Sequence, residues 1–469
     1  MIGTASESQI TATGRLLVPT LMFIALVVAV VGSLGAPLIT AVAGEFGVSL
    51  AAAQWTLTAP LLVGAIATPV LGRLGTGPRR RQVILATLAV VVAGSLLTVV
   101  PPSFGWLLAG RVAQGASLGL GALMMGVARD HLPEQRSGAT IALLSVASTV
   151  GIGVGYPLAG LLTDVSGLRA AYGLGLLIAA AALAAAWWAV PQPPPGRSAA
   201  VDVPGAAFLG AGLVTLSLAM SQTTLWTENP ALAAALPAAA AVLLAMWVRR
   251  ERRCAAPLVD LALLRHPAVA GANVTMLLGG IGMYLLLALV TRYVQTPESA
   301  GYGFGVDVFI AGSVLVPFSA LGFAGGKLVP RLRKRLQATT VLAAGGGVVL
   351  AALVVFALAR GQLWLAFAVM GLLGLGVGVF SAAMPVAILA ATPPEETSSA
   401  MSFNQVVRSV GFSIGSALGG LVLAAHTGTG ATFPTEAGYT TAAWAGAAAM
   451  AVTVLISLVL RHAAKARLS

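Results

Sequence analysis

Charge is scarce in this chain. Only 9% of its 469 residues are Asp, Glu, Lys or Arg, against about 25% in an ordinary soluble domain. Such a sequence cannot cover itself with a surface that water would hold. Cysteine is nearly absent. Cys254 stands alone, which excludes an internal disulfide and any cysteine-built metal cluster. His131, His266, His426 and His462 are far apart and fall in predicted loops or at the C-terminal end, so no metal site is expected. There are no paired carboxylates, no Ser/His/Asp set and no GxxxxGK[ST] phosphate loop. Enzymatic chemistry, a resident cofactor and direct use of ATP are not expected; any energy must come from a gradient or from none.

What the chain has in abundance is apolar sequence, 58% of its residues. Cutting at charges and Pro/Gly clusters leaves fourteen apolar spans, near 17–40, 55–73, 82–101, 105–128, 139–162, 170–190, 204–223, 231–249, 269–291, 307–326, 338–358, 363–386, 399–424 and 439–460. Each is of a length that crosses the hydrocarbon as a helix. The first is long enough to be retained rather than cleaved as a signal peptide. The expected fold class is an all-α polytopic membrane protein with 14 transmembrane helices. All 14 acidic residues fall in loops or near span ends, none at the middle of a span.

The net charge of +12 comes without the basic stretches interleaved with aromatics that mark nucleic-acid binding. It follows topology instead. With the N-terminus inside, 21 of the 26 basic residues fall on the cytoplasmic side; only Arg169, Arg292 and Arg360 fall outside, and Arg111 and Arg408 lie within spans. That asymmetry obeys the positive-inside rule. It predicts a cell-membrane protein with both termini cytoplasmic. Arg79, Arg80 and Arg81 occupy a tight cytoplasmic turn and are expected to face anionic lipid headgroups.

The two halves echo each other. GRLGTGPRRR (72–81) aligns with GKLVPRLRKR (326–335) at an offset of 254, and VGIGVGYPLAGL (150–161) with VGFSIGSALGGL (410–421) at an offset of 260. The repeats run in the same orientation, as parallel repeats do in one large transporter class. The expected organisation is a six-helix bundle over 1–190, a linker with two extra helices over 191–265, and a second six-helix bundle over 266–469.

On these motifs the chain resembles the major facilitator superfamily, in its fourteen-spanner drug:proton antiporter branch. The 72–81 stretch looks like that family's loop between spans two and three, RVAQG (111–115) like its span-four motif, GIGVGYPLAG (151–160) like its antiporter helix, and NQVVRSVG (404–411) like a stretch near the end of its core. The resemblance implies a transport core of Arg111, Gln114, Gly115, Asn404 and Arg408, an antiporter-type helix motif of Gly151, Gly155, Pro157 and Gly160, and a gating loop of Gly72, Thr76, Gly77, Arg79, Arg80 and Arg81. Thr76 stands where the family has Asp, the first span lacks its usual acid, and Pro60 replaces a frequent Tyr.

A central Arg is costly in a bilayer, so Arg111 should face the bundle interior with a partner. Gln114 and Gly115 are one turn away on its face. Arg111 either relays protons or orients an anionic group, or is a structural residue bonded to backbone carbonyls; Arg408 carries the same pair of readings. Gly151, Gly155 and Ala159 form a strip for close helix approach, and Pro157 can bend its span. Thr76 offers only a neutral hydrogen bond in the loop, which predicts a looser gate unless Asp130 or Glu134 does the latching. Asp307, then Glu45, are the candidate proton carriers; a solvated Asp at a helix start is the alternative for Asp307. The expected function is secondary-active export of lipophilic small molecules by alternating access, with protons as counter-ion and the lipid bilayer as the partner. An uncoupled facilitator, a metabolite importer or a non-transporting membrane sensor are the other readings.

Overall fold

The computed structural model describes residues 4–34, 38–48, 50–193, 201–221, 230–254, 257–258, 261, 266–390, 392–393, 396–428 and 433–466. The breaker residues 194–197, with Arg197, and also Arg265 and Glu395 lie outside them. Every secondary-structure element among the described residues is helical. That is what hydrocarbon demands, because a helix satisfies its backbone polar groups within one segment.

Two compact units divide the chain. The first comprises Met1–Val201 with Pro393–Ser402, and the second Asp202–Thr392 with Phe403–Ser469. In the first unit run α1 (Thr4–Ser33), α2 (Ile39–Phe46), α3 (Leu50–Leu74), α4 (Arg80–Val99), α5 (Phe104–Gly115), α6 (Leu120–His131) and α7 (Glu134–Ala189). α1 and α4 pack on α7, and α3 and α4 on α5. The second unit holds α8 (Val203–Ser221), α9 (Pro230–Glu251), α10 (Pro267–Gln295), α11 (Val308–Ser313), α12 (Leu315–Leu332), α13 (Ala338–Leu358), α14 (Leu363–Leu389) and α16 (Glu436–Ala466). α15 (Thr397–Ala425) starts in the first unit and continues in the second.

Among the described residues, eleven helical stretches are long and apolar enough to cross a membrane. The other three expected spans, 139–162, 204–223 and 231–249, fall on the first part of α7, on α8 and on α9, with 222–223 outside the described residues. Three boundaries differ from expectation. The first apolar run does not stay one helix, since α1 stops at Ser33 and α2 restarts at Ile39. The run after Asp307 breaks at Val314 and extends to Leu332. Spans five and six have no separate loop. They meet inside α7 at Gly167, whose φ of 77° and ψ of 177° lie in a region essentially reserved for glycine.

The repeat seen in sequence is repeated in packing. A Cβ on Gly151 would overlap Ala29 of α1, and one on Gly155 would overlap the Ser33 hydroxyl. At the offset of 260, Gly411 and Gly415 of α15 hold the same relation to the backbone of α10 at Leu277 and Ile281. Each glycine pair therefore docks its helix against the first long helix of its own repeat. Gly160 differs, with nothing within 4 Å of a Cβ placed on it.

α8 and α9 pack on each other, and their ends are clasped by Asp202 and Arg250, with Nη2 to Oδ1 at 2.7 Å. Burial alone would raise the Asp202 carboxyl, but the Arg250 guanidinium and the Gly205 amide hold it below its ordinary range. Trp247 of α9 donates to Glu251 (2.7 Å) and stacks on Phe403 of α15, ring centroids 6.4 Å apart.

Candidate functional site

Arg111 is 0% exposed in α5. Its Nε donates to the Thr56 carbonyl (2.8 Å), and its Nη1 to the Val31 carbonyl (3.0 Å) and to Gln114 Oε1 (2.7 Å). The Thr56 carbonyl is one that its own helix leaves unsatisfied. Thr56 would normally accept from residue 60, but Pro60 has no N–H. Val31 lies in the last turn of α1, where carbonyls lack an intrahelical donor. The departure at Pro60 thus creates an acceptor for the buried cation. Gly115 makes the approach possible, because a Cβ there would lie 2.5 Å from the Pro60 carbonyl oxygen. Gln114 continues the network, donating to Ser95 (3.0 Å) and Thr98 (3.3 Å) of α4.

One part of the network is open. Arg111 Nη2 and the Tyr172 hydroxyl are buried without a hydrogen-bond partner among the described residues, and the two side chains are near enough to interact electrostatically. Tyr172, on the second part of α7, was not legible in the sequence. Nor were Val31 and Thr56, which contribute backbone rather than side chains.

In the second unit, Asn404 is 1% exposed and donates to Asn273 of α10 (3.1 Å). Asn273 in turn donates to the Val269 carbonyl (2.9 Å). Asn404 is therefore a tie between helices. Arg408, one turn further along α15, is half-buried. Its guanidinium lies over the Phe412 ring, 5.6 Å from the centroid, and Phe412 leans on Tyr284 with centroids 5.3 Å apart.

The loop after α3 corrects one expectation. Arg80 does not face headgroups; it is 3% exposed, donates to the Gly75 carbonyl (2.9 Å) and pairs with Asp130 at the end of α6. The missing acid beside the three arginines is thus supplied fifty positions on. Arg81 donates to the carbonyls of Val190 (2.9 Å) and Trp187 (2.7 Å) and lies over the Trp187 ring. Arg79 is exposed. Gly77 carries the turn with φ of 75°, and the Thr76 hydroxyl only closes onto the Gly72 carbonyl (3.1 Å). Arg73 pairs with Glu396 just before α15 (3.2 Å), and Arg129 donates to Thr397 (2.6 Å). Glu396 went unrecognised because its partner lies 323 positions away.

Of the candidate carriers, Asp307 is exposed and caps α11, accepting from the Ile310 amide (2.7 Å). Glu45 is exposed in α2. At the same end as Asp307, an unforeseen aromatic cluster surrounds Tyr293, with Tyr302, Phe304, Phe356 and Tyr439 all within 6 Å between centroids. Arg360 covers Tyr293 and pairs with Glu436 (3.2 Å). Burial pushes the Tyr302 phenol up to about 12, so it stays protonated and donates to the Pro434 carbonyl.

An all-helical, multi-pass membrane protein with one arginine at mid-span in each half is the class that fold and site define. The sequence profile of the Major Facilitator Superfamily matches residues 21–415, and the chain belongs to that family. It is 27% identical over 397 residues to a multidrug resistance protein B homolog of Mycobacterium tuberculosis, covering 81% of this chain and 70% of that protein. It is 29% identical over 440 residues to a probable actinorhodin transporter of Streptomyces coelicolor, covering 88% and 73%. Among solved structures, the human organic anion transporter MFSD10 (TETRAN) superimposes with a TM-score of 0.66 at 15% identity, covering 95% of this chain and 99% of that one. At that identity the likeness is one of fold.

Proposed function

We propose that this chain is a secondary-active exporter of lipophilic small molecules of the drug or secondary-metabolite type, working by alternating access in the cell membrane. The reading is carried by the match along about four-fifths of the chain to relatives named for multidrug resistance and actinorhodin transport. Family membership and these relatives both point to transport rather than catalysis.

The finer reading has fourteen spans: six over 1–190, two inserted over 191–265 and six over 266–469, with both termini and the Arg79–Arg81 turn cytoplasmic. Paired glycine docking in both repeats and the clasped α8–α9 hairpin support that division. The cytoplasmic gate is built from Arg73, Arg80, Arg129, Asp130, Glu396 and Thr397. Two ion pairs there take over from the charge that Thr76 cannot provide.

Proton antiport supplies the energy in this reading. Asp307 is spent on capping, so Glu45 is the carboxylate to replace first. Cargo export from proteoliposomes that collapses when an imposed pH gradient is dissipated supports antiport. Flux that ignores the gradient selects an uncoupled facilitator, a reading favoured by the lack of any mid-span carboxylate. No flux for any compound would leave a membrane sensor of this fold.

A further inference from the structure

Arg408 lies about 16 Å along α15 from its first residue, at 1.5 Å per residue. That places it near the middle of a 29-residue helix. It is half-buried, so part of its guanidinium is accessible at a depth where a charge cannot face hydrocarbon cheaply. The face of α15 that carries it must therefore meet water or a polar ligand. Among the described residues no carboxylate pairs with it, and its neighbour is the Phe412 ring. The helix beneath it is closely packed and tied. Asn404 is bonded to Asn273 one turn before it, and a Cβ on Gly411 would lie 2.5 Å from the Leu277 carbonyl oxygen. The backbone beneath Arg408 is thus held against α10, and Phe412 is held against Tyr284, their rings inclined at 30°.

We propose that Arg408, Phe412 and Tyr284 form a binding site for aromatic carboxylates: small, flat, ring-bearing molecules with one acidic oxygen group. The chemistry follows from the three side chains. A guanidinium presents a planar fork of donors that matches a carboxylate in two parallel bonds, and among the described residues none of its donors is spent. Its cation–π contact with Phe412 sets the plane of that fork beside an aromatic wall. The wall offers an offset stack to a ligand ring. A cationic ligand of the same shape meets the fixed positive charge and is disfavoured. The inference deepens the exporter reading by naming the class of cargo. It rests on that reading only for the direction in which the bound molecule leaves.

The test uses the full chain in nanodiscs of neutral lipid and three probes with one ring system: anthracene-9-carboxylate, its amide, and 9-(aminomethyl)anthracene. Fluorescence titration of the wild type should show the carboxylate bound at least about tenfold more tightly than the amine, the equivalent of one charge-assisted hydrogen bond. Arg408→Gln should remove that preference while leaving amine binding unchanged or stronger. Arg408→Lys keeps the charge, loses the fork and should fall between the two; it replaces the Gln variant if that one fails to fold. Phe412→Leu should weaken all three probes together and keep the preference.

A wild type without preference for the carboxylate, or a preference that survives Arg408→Gln, overturns the site. So does an equal loss of all three probes in that variant, which would mark a structural role. The exporter reading fails separately. Carboxylate preference without any gradient-driven export would leave the site standing, whereas export indifferent to charge would remove the site and leave the exporter.

Discussion

Arg111 and Arg408 are the two cations at mid-span, and the protein treats them in opposite ways. Arg111 is fully enclosed and bonded to Thr56, Val31 and Gln114. Arg408 is half-buried and rests on an aromatic ring. The first arginine bonds to carbonyls of two neighbouring helices, one of which Pro60 leaves without a donor, so it is part of the frame. The second, among the described residues, has its donors to spare. Burial alone does not identify a functional charge in a membrane protein; what matters is how many of its hydrogen bonds the protein has already used. The repeat sharpens this, since the offset of 260 sets Ser148 opposite Arg408, and the two halves are not equivalent at that level.

The contrast breaks most sharply at Arg111. Arg111→Ala strands two backbone carbonyls and an amide oxygen, at about 1–3 kcal/mol for each buried orphan. The expected result is lost transport together with a thermal midpoint lowered by several degrees in purified protein. Full transport at normal stability would mean the two arginines had been assigned the wrong way round. Arg408→Ala should also abolish transport, but with normal insertion and an unchanged melting curve; a large drop in stability would erase the distinction.

Gly155→Leu comes next. The new side chain overlaps Ser33 and should push α7 off α1, cutting the transport rate severalfold, while Gly160→Leu, with open space around it, should be tolerated. Rates for both variants in one vesicle assay decide this. A subtler change is Pro60→Ala. It restores an amide that competes with Arg111 for the Thr56 carbonyl, a net effect of about 0.5–1.5 kcal/mol. Protection of that amide in hydrogen exchange, with a partial loss of transport, is expected. The smallest effect belongs to Asp307→Asn, because Asn caps a helix about as well as Asp. Gradient-driven export should persist; its loss would return Asp307 to the role of proton carrier.

Much of this was readable in the chain. α13 covers the residues that apolar run length marks, 338–358, because hydrocarbon imposes a length that hydropathy records. The Arg111–Gln114 pair followed from helical spacing alone. The strip of Gly151, Gly155 and Ala159 was visible as small residues four apart, while only the structure shows that Gly160, a member of the same motif, leaves open space beside it. What could not be read came from other helices. Tyr172, Asn273 and Glu396 carry no local signal of their partners, since interhelical contacts have no fixed sequence separation. Arg80 was misread for a related reason. A run of three arginines looks uniform, yet its middle member turns inward to an acid that only the fold brings near.

The bonds of Arg111 also have an order in time. Val31 and Thr56 precede it in the chain, as do Ser95 and Thr98, which hold its partner Gln114, so the ribosome has delivered all four before α5 emerges. The arginine enters a bilayer in which the helices that host it are already threaded; Gln114 comes with it on α5, and Tyr172 arrives afterwards. Moving α5 ahead of α1 and α3 by circular permutation would keep each contact of the finished protein, yet force a bare cation to wait in the lipid for them.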